Sequence, residues 1–154
     1  MDIDTRNRII SGILTVVIIV LAWFLYDSIT SPYEKVEEQR EVTAQVRHRL
    51  TVVRDALVEH QRRNNHFPQT LDDLVEWLKT DENMVERGDS LFQFRPPHEY
   101  DPDALIYSPR TGNRFQYALN DTLRPNIYLL EDPDTDDAIG SLERTTLLNA
   151  TNWN

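Results

Sequence analysis

Apolar and polar positions recur with three different rhythms along this chain, and each rhythm predicts a different element. Ile9 to Tyr26, IISGILTVVIIVLAWFLY, carries no charge. As a helix rising ~1.5 Å per residue it reaches ~27 Å, just short of the hydrocarbon thickness of a bilayer. It predicts a transmembrane helix over 9–26. Ile3 and the long stems of Arg6 and Arg8 extend one end, and Trp23 and Tyr26 suit the opposite interface. A cleaved signal peptide is the alternative. The apolar run exceeds the usual core of ~7–15 residues, however, and Ala22 to Tyr26 has no small-x-small cleavage pattern.

The second rhythm begins at Ser31-Pro32-Tyr33-Glu34, where Ser31 can cap, Pro32 fits a first turn and Glu34 can return the capping bond. From there to about Arg63 the positions Val36, Gln39, Thr43, Val46, Leu50, Val53, Leu57 and His60 follow in steps of three and four. The apolar ones concentrate in the second half. This predicts a stalk and core helix over 27–63, polar near the membrane and laid against a globular core around Leu50 to Leu57. A coiled coil between two copies, and hence a homo-oligomer, is the alternative for the same stripe. Asn64 to Pro68 predicts the end of this helix. Thr70-Leu71-Asp72-Asp73 predicts the start of a shorter one, with Thr70 as cap, the two aspartates at the positive end of the dipole, and Leu71, Leu74, Val75 and Leu78 buried.

From Leu91 the texture changes to LFQF, LIY, RFQYAL and NIYLL, separated by turn residues, which predicts strands. Ser108 to Asn113 predicts a hairpin joining 105–107 to 115–119, with Gly112 and Asn113 suited to positive φ. Asn120 to Pro125 then leads into a strand over 126–130. Together these elements predict an α+β domain, a long helix and a short helix on a small antiparallel sheet, occupying 64–154 after the helix.

Charge and composition narrow the chemistry. The 26 acidic and 16 basic residues give a net charge of −10, with no cysteine. Residues 1–26 are neutral in sum, so all of the excess lies beyond Tyr26. Disulfides, thiolate metal sites and cysteine nucleophiles are excluded, and the acidity argues against a nucleic-acid partner. Arg6 and Arg8 on one side of the apolar run, against Asp27 and Glu34 on the other, place residues 1–8 in the cytoplasm and the remainder outside; the reverse orientation is the alternative. The four histidines show no zinc spacing, and with four glycines no phosphate loop, nucleophile elbow or dinucleotide fingerprint can be built. No catalytic residue is therefore expected, and Asp72 and Asp73 are read as helix-start acids. The segment Asp132 to Glu143 does fit a template: carboxylates at positions 1, 3, 5 and 12 of a calcium loop, with Ile139 at the apolar position. Position 6 is Asp137 instead of glycine, and the segment before it reads as a strand. A solvated acidic turn is the other reading of the same residues.

The order of these features resembles the major pseudopilin of type II secretion and, more broadly, type IV pilin-like proteins. Asn64-Asn65-His66-Phe67-Pro68-Gln69-Thr70 is similar to the family's Gly-x-Tyr-Pro-Thr/Ser stretch, and Pro109-Arg110-Thr111-Gly112-Asn113-Arg114-Phe115-Gln116-Tyr117 to its Pro-Trp-Gly-Asn-Pro-Tyr-x-Tyr hairpin. The acidic loop and the ending Asn149-Ala150-Thr151-Asn152-Trp153 are similar to its calcium-binding loop and final Asn-Trp. The resemblance implies a single-pass inner-membrane protein with a periplasmic domain, working by helix packing and contacts with lipid and with other envelope or pilin-like proteins. It also implies Ca2+ at the C-terminal loop, held by Asp132, Asp134, Asp136 and Asp137, to which the template adds Glu143; a membrane-tethered protein-binding module that responds to calcium is the alternative function. The prepilin peptidase motif is absent: Ile13 follows Gly12, and Val17 stands where the family has glutamate.

Overall fold

The computed structural model describes residues 3–92 and 100–153. Three helices come first, α1 (Ile3–Asn64), α2 (Leu71–Thr80) and α3 (Glu82–Leu91). Three strands come next, β1 (Gln116–Asn120), β2 (Ile127–Glu131) and β3 (Ala138–Gly140), and then a 3-10 turn at Thr145–Leu147. The class is α+β, as predicted. The chain divides into two compact units, Met1–Glu41 and Val42–Asn154.

In the first unit every described residue belongs to α1. Asp4–Ser28 is one helix long and apolar enough to cross a membrane. The apolar side chains there, from Ile9 to Tyr26, are exposed to the medium. The helix start predicted at Ser31 is corrected, because α1 runs through Ser31 and Pro32 without a break. An interior proline costs one i→i−4 hydrogen bond and a steric adjustment, which the uninterrupted helix on both sides absorbs. The side chains of Ser31, Pro32 and Glu34 lie outside the described ones.

The second unit is built on the last turns of α1. Val46, Leu50, Val53, Leu57 and His60 are buried, and Val52 and Ala56 widen the stripe. The seam is buried from Val46 onward, around the expected Leu50 to Leu57, and is open nearer the N-terminus, where Val36 is 45% exposed. The helix ends because Asn65 turns left-handed at φ 62°, its N–H still bonded to the Gln61 carbonyl at 2.8 Å. Thr70 and Asp73 then form a reciprocal capping box for α2, whose buried residues are Leu71, Leu74, Val75 and Leu78. Helix α3 has no counterpart among the elements predicted from sequence. Asp81, which closes α2, also caps α3 by accepting from the N–H groups of Asn83 and Met84, so the chain restarts a helix without a loop.

The sheet is antiparallel in the order β1-β2-β3, with Ala118 opposite Leu129 and Leu130 opposite Ile139. Its position corrects two expected strands. Leu105 to Tyr107 is a turn with a single bridge, Tyr107 to Arg114, and the true hairpin joins β1 to β2 through 121–126. The Ser108 to Asn113 turn is real, with Ser108 N–H bonded to the Asn113 carbonyl at 2.7 Å and Gly112 at φ 75°. Leu105 and Ile106 are nonetheless spent on the core instead of a ladder. Of LFQF, Leu91 closes α3 and Phe92 is its C-cap, while 93 and 94 lie outside the described residues. Phe67, from the turn after α1, packs edge-on to Tyr128 of β2 at 5.0 Å. The Tyr117 hydroxyl donates to the Pro68 carbonyl at 2.9 Å and ties that turn to β1.

Candidate functional site

Strand β2 ends at Glu131 and β3 begins at Ala138, so the acidic segment is the connection between two paired strands. Asp132 N–H bonds to the Asp137 carbonyl at 3.0 Å and closes it. The entering and leaving helices of the calcium-loop template are replaced by strands. Each carboxylate then meets its own surroundings. Asp132 is buried, and its Oδ2 accepts from the Thr135 hydroxyl at 2.8 Å, while its Oδ1 is buried with no hydrogen-bond partner among the described residues. Asp134 is exposed and accepts from the Thr111 hydroxyl and, at 2.8 Å, from Asn113 Nδ2. Those two bonds hold its carboxyl below the usual carboxylate range. Asp136 is exposed, and its backbone carbonyl accepts from Asn152 Nδ2. Asp137 is buried, and both of its oxygens are taken by Arg47 at 2.9 Å from Nε and from Nη2. Glu143 is exposed beyond β3.

Arg47 stands next to Val46 on the buried part of α1, ninety residues from Asp137 in sequence. Its guanidinium lies 5.4 Å from the ring centre of Trp153, so one cation serves a carboxylate and an aromatic face. The hydrogen bond to Asp137 raises the pKa of Arg47 above its ordinary value. The tail that carries Trp153 runs beside β3 and bridges it at Ile139 and Thr151 without forming a strand of its own. Gly140 N–H bonds to the Ala150 carbonyl at 2.9 Å, Asn152 N–H to the Ala138 carbonyl at 3.0 Å, and Ala138 N–H to Asn152 Oδ1 at 2.9 Å. Asn149 Oδ1 accepts from the buried Tyr128 hydroxyl at 2.8 Å. Gly140 is required here: it sits at φ 91°, and a Cβ would come within 2.2 Å of the Tyr128 carbonyl oxygen.

Calcium takes six to eight oxygens at ~2.3–2.6 Å. In this structure the oxygens of the expected set meet different partners. The pairs at Asp134 and Asp137 are occupied, the position-7 carbonyl of Ala138 is bonded to Asn152, and one oxygen of Asp132 is bonded to Thr135. The structure brings Asp132 and Asp137 to the two ends of one turn and leaves Glu143 outside it. Arg47, Thr111, Asn113 and Asn152 are the partners that sequence reasoning did not assign to this loop. In the sequence Arg47 stands with His48 and Arg49 beside the apolar seam, and no local signal sets it apart from them.

Elsewhere, Asp72, Asp73 and His60 are engaged structurally. Asp73 is in the α2 cap, and Asp72 pairs with Arg114 at 2.8 Å beside a groove of about 310 Å³ lined by Gln69, Thr70, Phe115 and Tyr117. His60 is buried, its Nδ1 bonded to the His66 carbonyl at 2.9 Å and its ring edge-on to Trp77 at 5.0 Å. No protein-family profile matches this chain, and no characterised protein and no solved structure is detectably similar to it.

Proposed function

We propose that this chain is a membrane-anchored structural component of an envelope assembly of the type II secretion or type IV pilus kind, acting through contacts with other proteins. Residues 1–8 face the cytoplasm, the apolar helix lies in the inner membrane, and the α+β unit works on the periplasmic side. The observation that carries this reading is the exposed apolar helix Asp4–Ser28 in a chain that also builds a separate α+β unit with a complete core of its own. A helix of that length and hydropathy is satisfied by lipid, and a unit beside lipid is placed to assemble with neighbours. The order of elements supports the pilin-like part of the reading: a long N-terminal helix, a capped second helix, an antiparallel sheet and an ordered C-terminal tail. The use of polar side chains as caps, ion pairs and clasps favours contacts over chemistry.

The test is cross-linking in intact cells followed by detergent extraction and purification of the full chain, together with protease treatment of spheroplasts. The expected result is co-purification of other envelope proteins, with residues beyond 41 cut from outside. A chain that extracts as a free monomer, or a domain cleaved only after the inner membrane is opened, overturns the reading.

A further inference from the structure

The acidic loop has the residues of a calcium site and the hydrogen bonds of something else. A turn that gathers Asp132, Asp134, Asp136 and Asp137 needs compensating positive charge, which can come from a metal ion or from the chain. Here the buried carboxylate, Asp137, is met end-on by a planar guanidinium through two parallel 2.9 Å bonds, the geometry in which arginine binds carboxylate most strongly. The side chain of Asp137 is 10% exposed and that of Arg47 is 36% exposed, so the pair is shielded at the carboxylate end and open to solvent at the other. Trp153 covers the guanidinium, and Asn152, the residue before it, bonds to the backbone of both Asp136 and Ala138.

We propose that Arg47 takes the place of a bound cation: with Asp137, Asn152 and Trp153 it forms a metal-independent clasp that holds the β2–β3 turn and the C-terminal tail in place. The clasp joins three parts of the second unit that are distant in sequence, the core helix α1, the loop and the tail. The remaining carboxylates are not gathered in the same way: Asp132 at the turn's neck has one oxygen bound by Thr135 and one buried, while Asp136 and Glu143 are exposed to solvent. Order in the tail then depends on an arginine that is always protonated, and calcium concentration does not control it.

The experiment uses the full chain in detergent micelles. Melting is followed with calcium chloride and with chelator, and amide hydrogen exchange is followed at 132–138 and 150–153. For the wild type the expected result is the same midpoint in both conditions and slow exchange in both segments without calcium. R47A is expected to lower the midpoint by roughly 5–10 °C and to speed exchange in loop and tail together, and D137N is expected to add little on that background. A wild-type midpoint that rises with calcium, or amide protection that appears only with calcium, overturns the proposal. So does unchanged protection at 150–153 in R47A. Should R47A not fold, the wild-type calcium comparison decides alone.

Discussion

His60 sits where its chemistry can be read directly. Its Nδ1 faces a carbonyl, which can only accept, so the proton is on Nδ1 and the neutral ring fits its apolar corner against Trp77. Burial pushes its pKa below the ordinary value of 6.5; the His66 carbonyl pulls it upward, the His66 ring pushes it down and Asp73 pulls it up. Linkage sets the sign. A histidine whose folded pKa is depressed binds fewer protons folded than unfolded, so its contribution is intact above about pH 6.5 and is lost as the pH falls from there toward the folded value. Thermal melts between pH 8 and pH 5 are expected to show a falling midpoint below 6.5 in the wild type and a shallower fall in H60Q. Equal slopes would show that other groups set the acid response. Gly140 is a residue with no substitute. G140A forces a side chain into positive φ and against the Tyr128 carbonyl, and a loss of about 3 kcal/mol is expected in a denaturant titration.

Among the elements, those whose signal is local were legible and those whose signal is distant were not. Helix α2 needed only its own ten residues and the cap before them: Thr70, the acidic first turn and four buried positions are all visible in the sequence. T70A is expected to cost about 1 kcal/mol through loss of the capping bond. The seam of α1 was legible as a period, and the rise of apolar residues along it placed the burial around Leu50 to Leu57; the exact start at Val46 was not visible. Val36 and Leu50 occupy equivalent positions on the stripe and differ in what the rest of the chain lays over them. L50A is therefore expected to cost about 2–5 kcal/mol and V36A to lie within about 0.5 kcal/mol of wild type, compared by the same titration. Helix α3 is hidden in the sequence because its cap, Asp81, is also the last word of α2. Leu105 to Tyr107 reads as a strand because branched and aromatic residues suit a sheet and a core equally well. The loop's carboxylates are legible from spacing, but their partners come from α1, the 108–113 turn and the tail, which no local window joins.

At the scale of the whole molecule, two materials are written in one chain. The helix from Asp4 to Ser28 is uncharged between Ile9 and Tyr26, and its twelve Ile, Leu, Val and Phe residues in that stretch favour insertion. The net charge of −10 lies entirely after residue 26, where it opposes approach to an anionic membrane surface and favours solubility. Among the described residues, the core of the second unit starts at Val46 and draws on α1, α2, α3, the 105–106 turn and the sheet. A fragment beginning at Val42 should consequently keep its fold: it is expected to unfold in one cooperative step and to stay in the supernatant when anionic vesicles are sedimented. The full chain is expected to pellet with the same vesicles and to stay with them in high salt, since apolar burial is not screened as surface charge is. A fragment that lacks a cooperative transition would mean that the first 41 residues contribute to the fold of the second unit. Release of the full chain by salt alone would mean that the apolar helix is not in the bilayer.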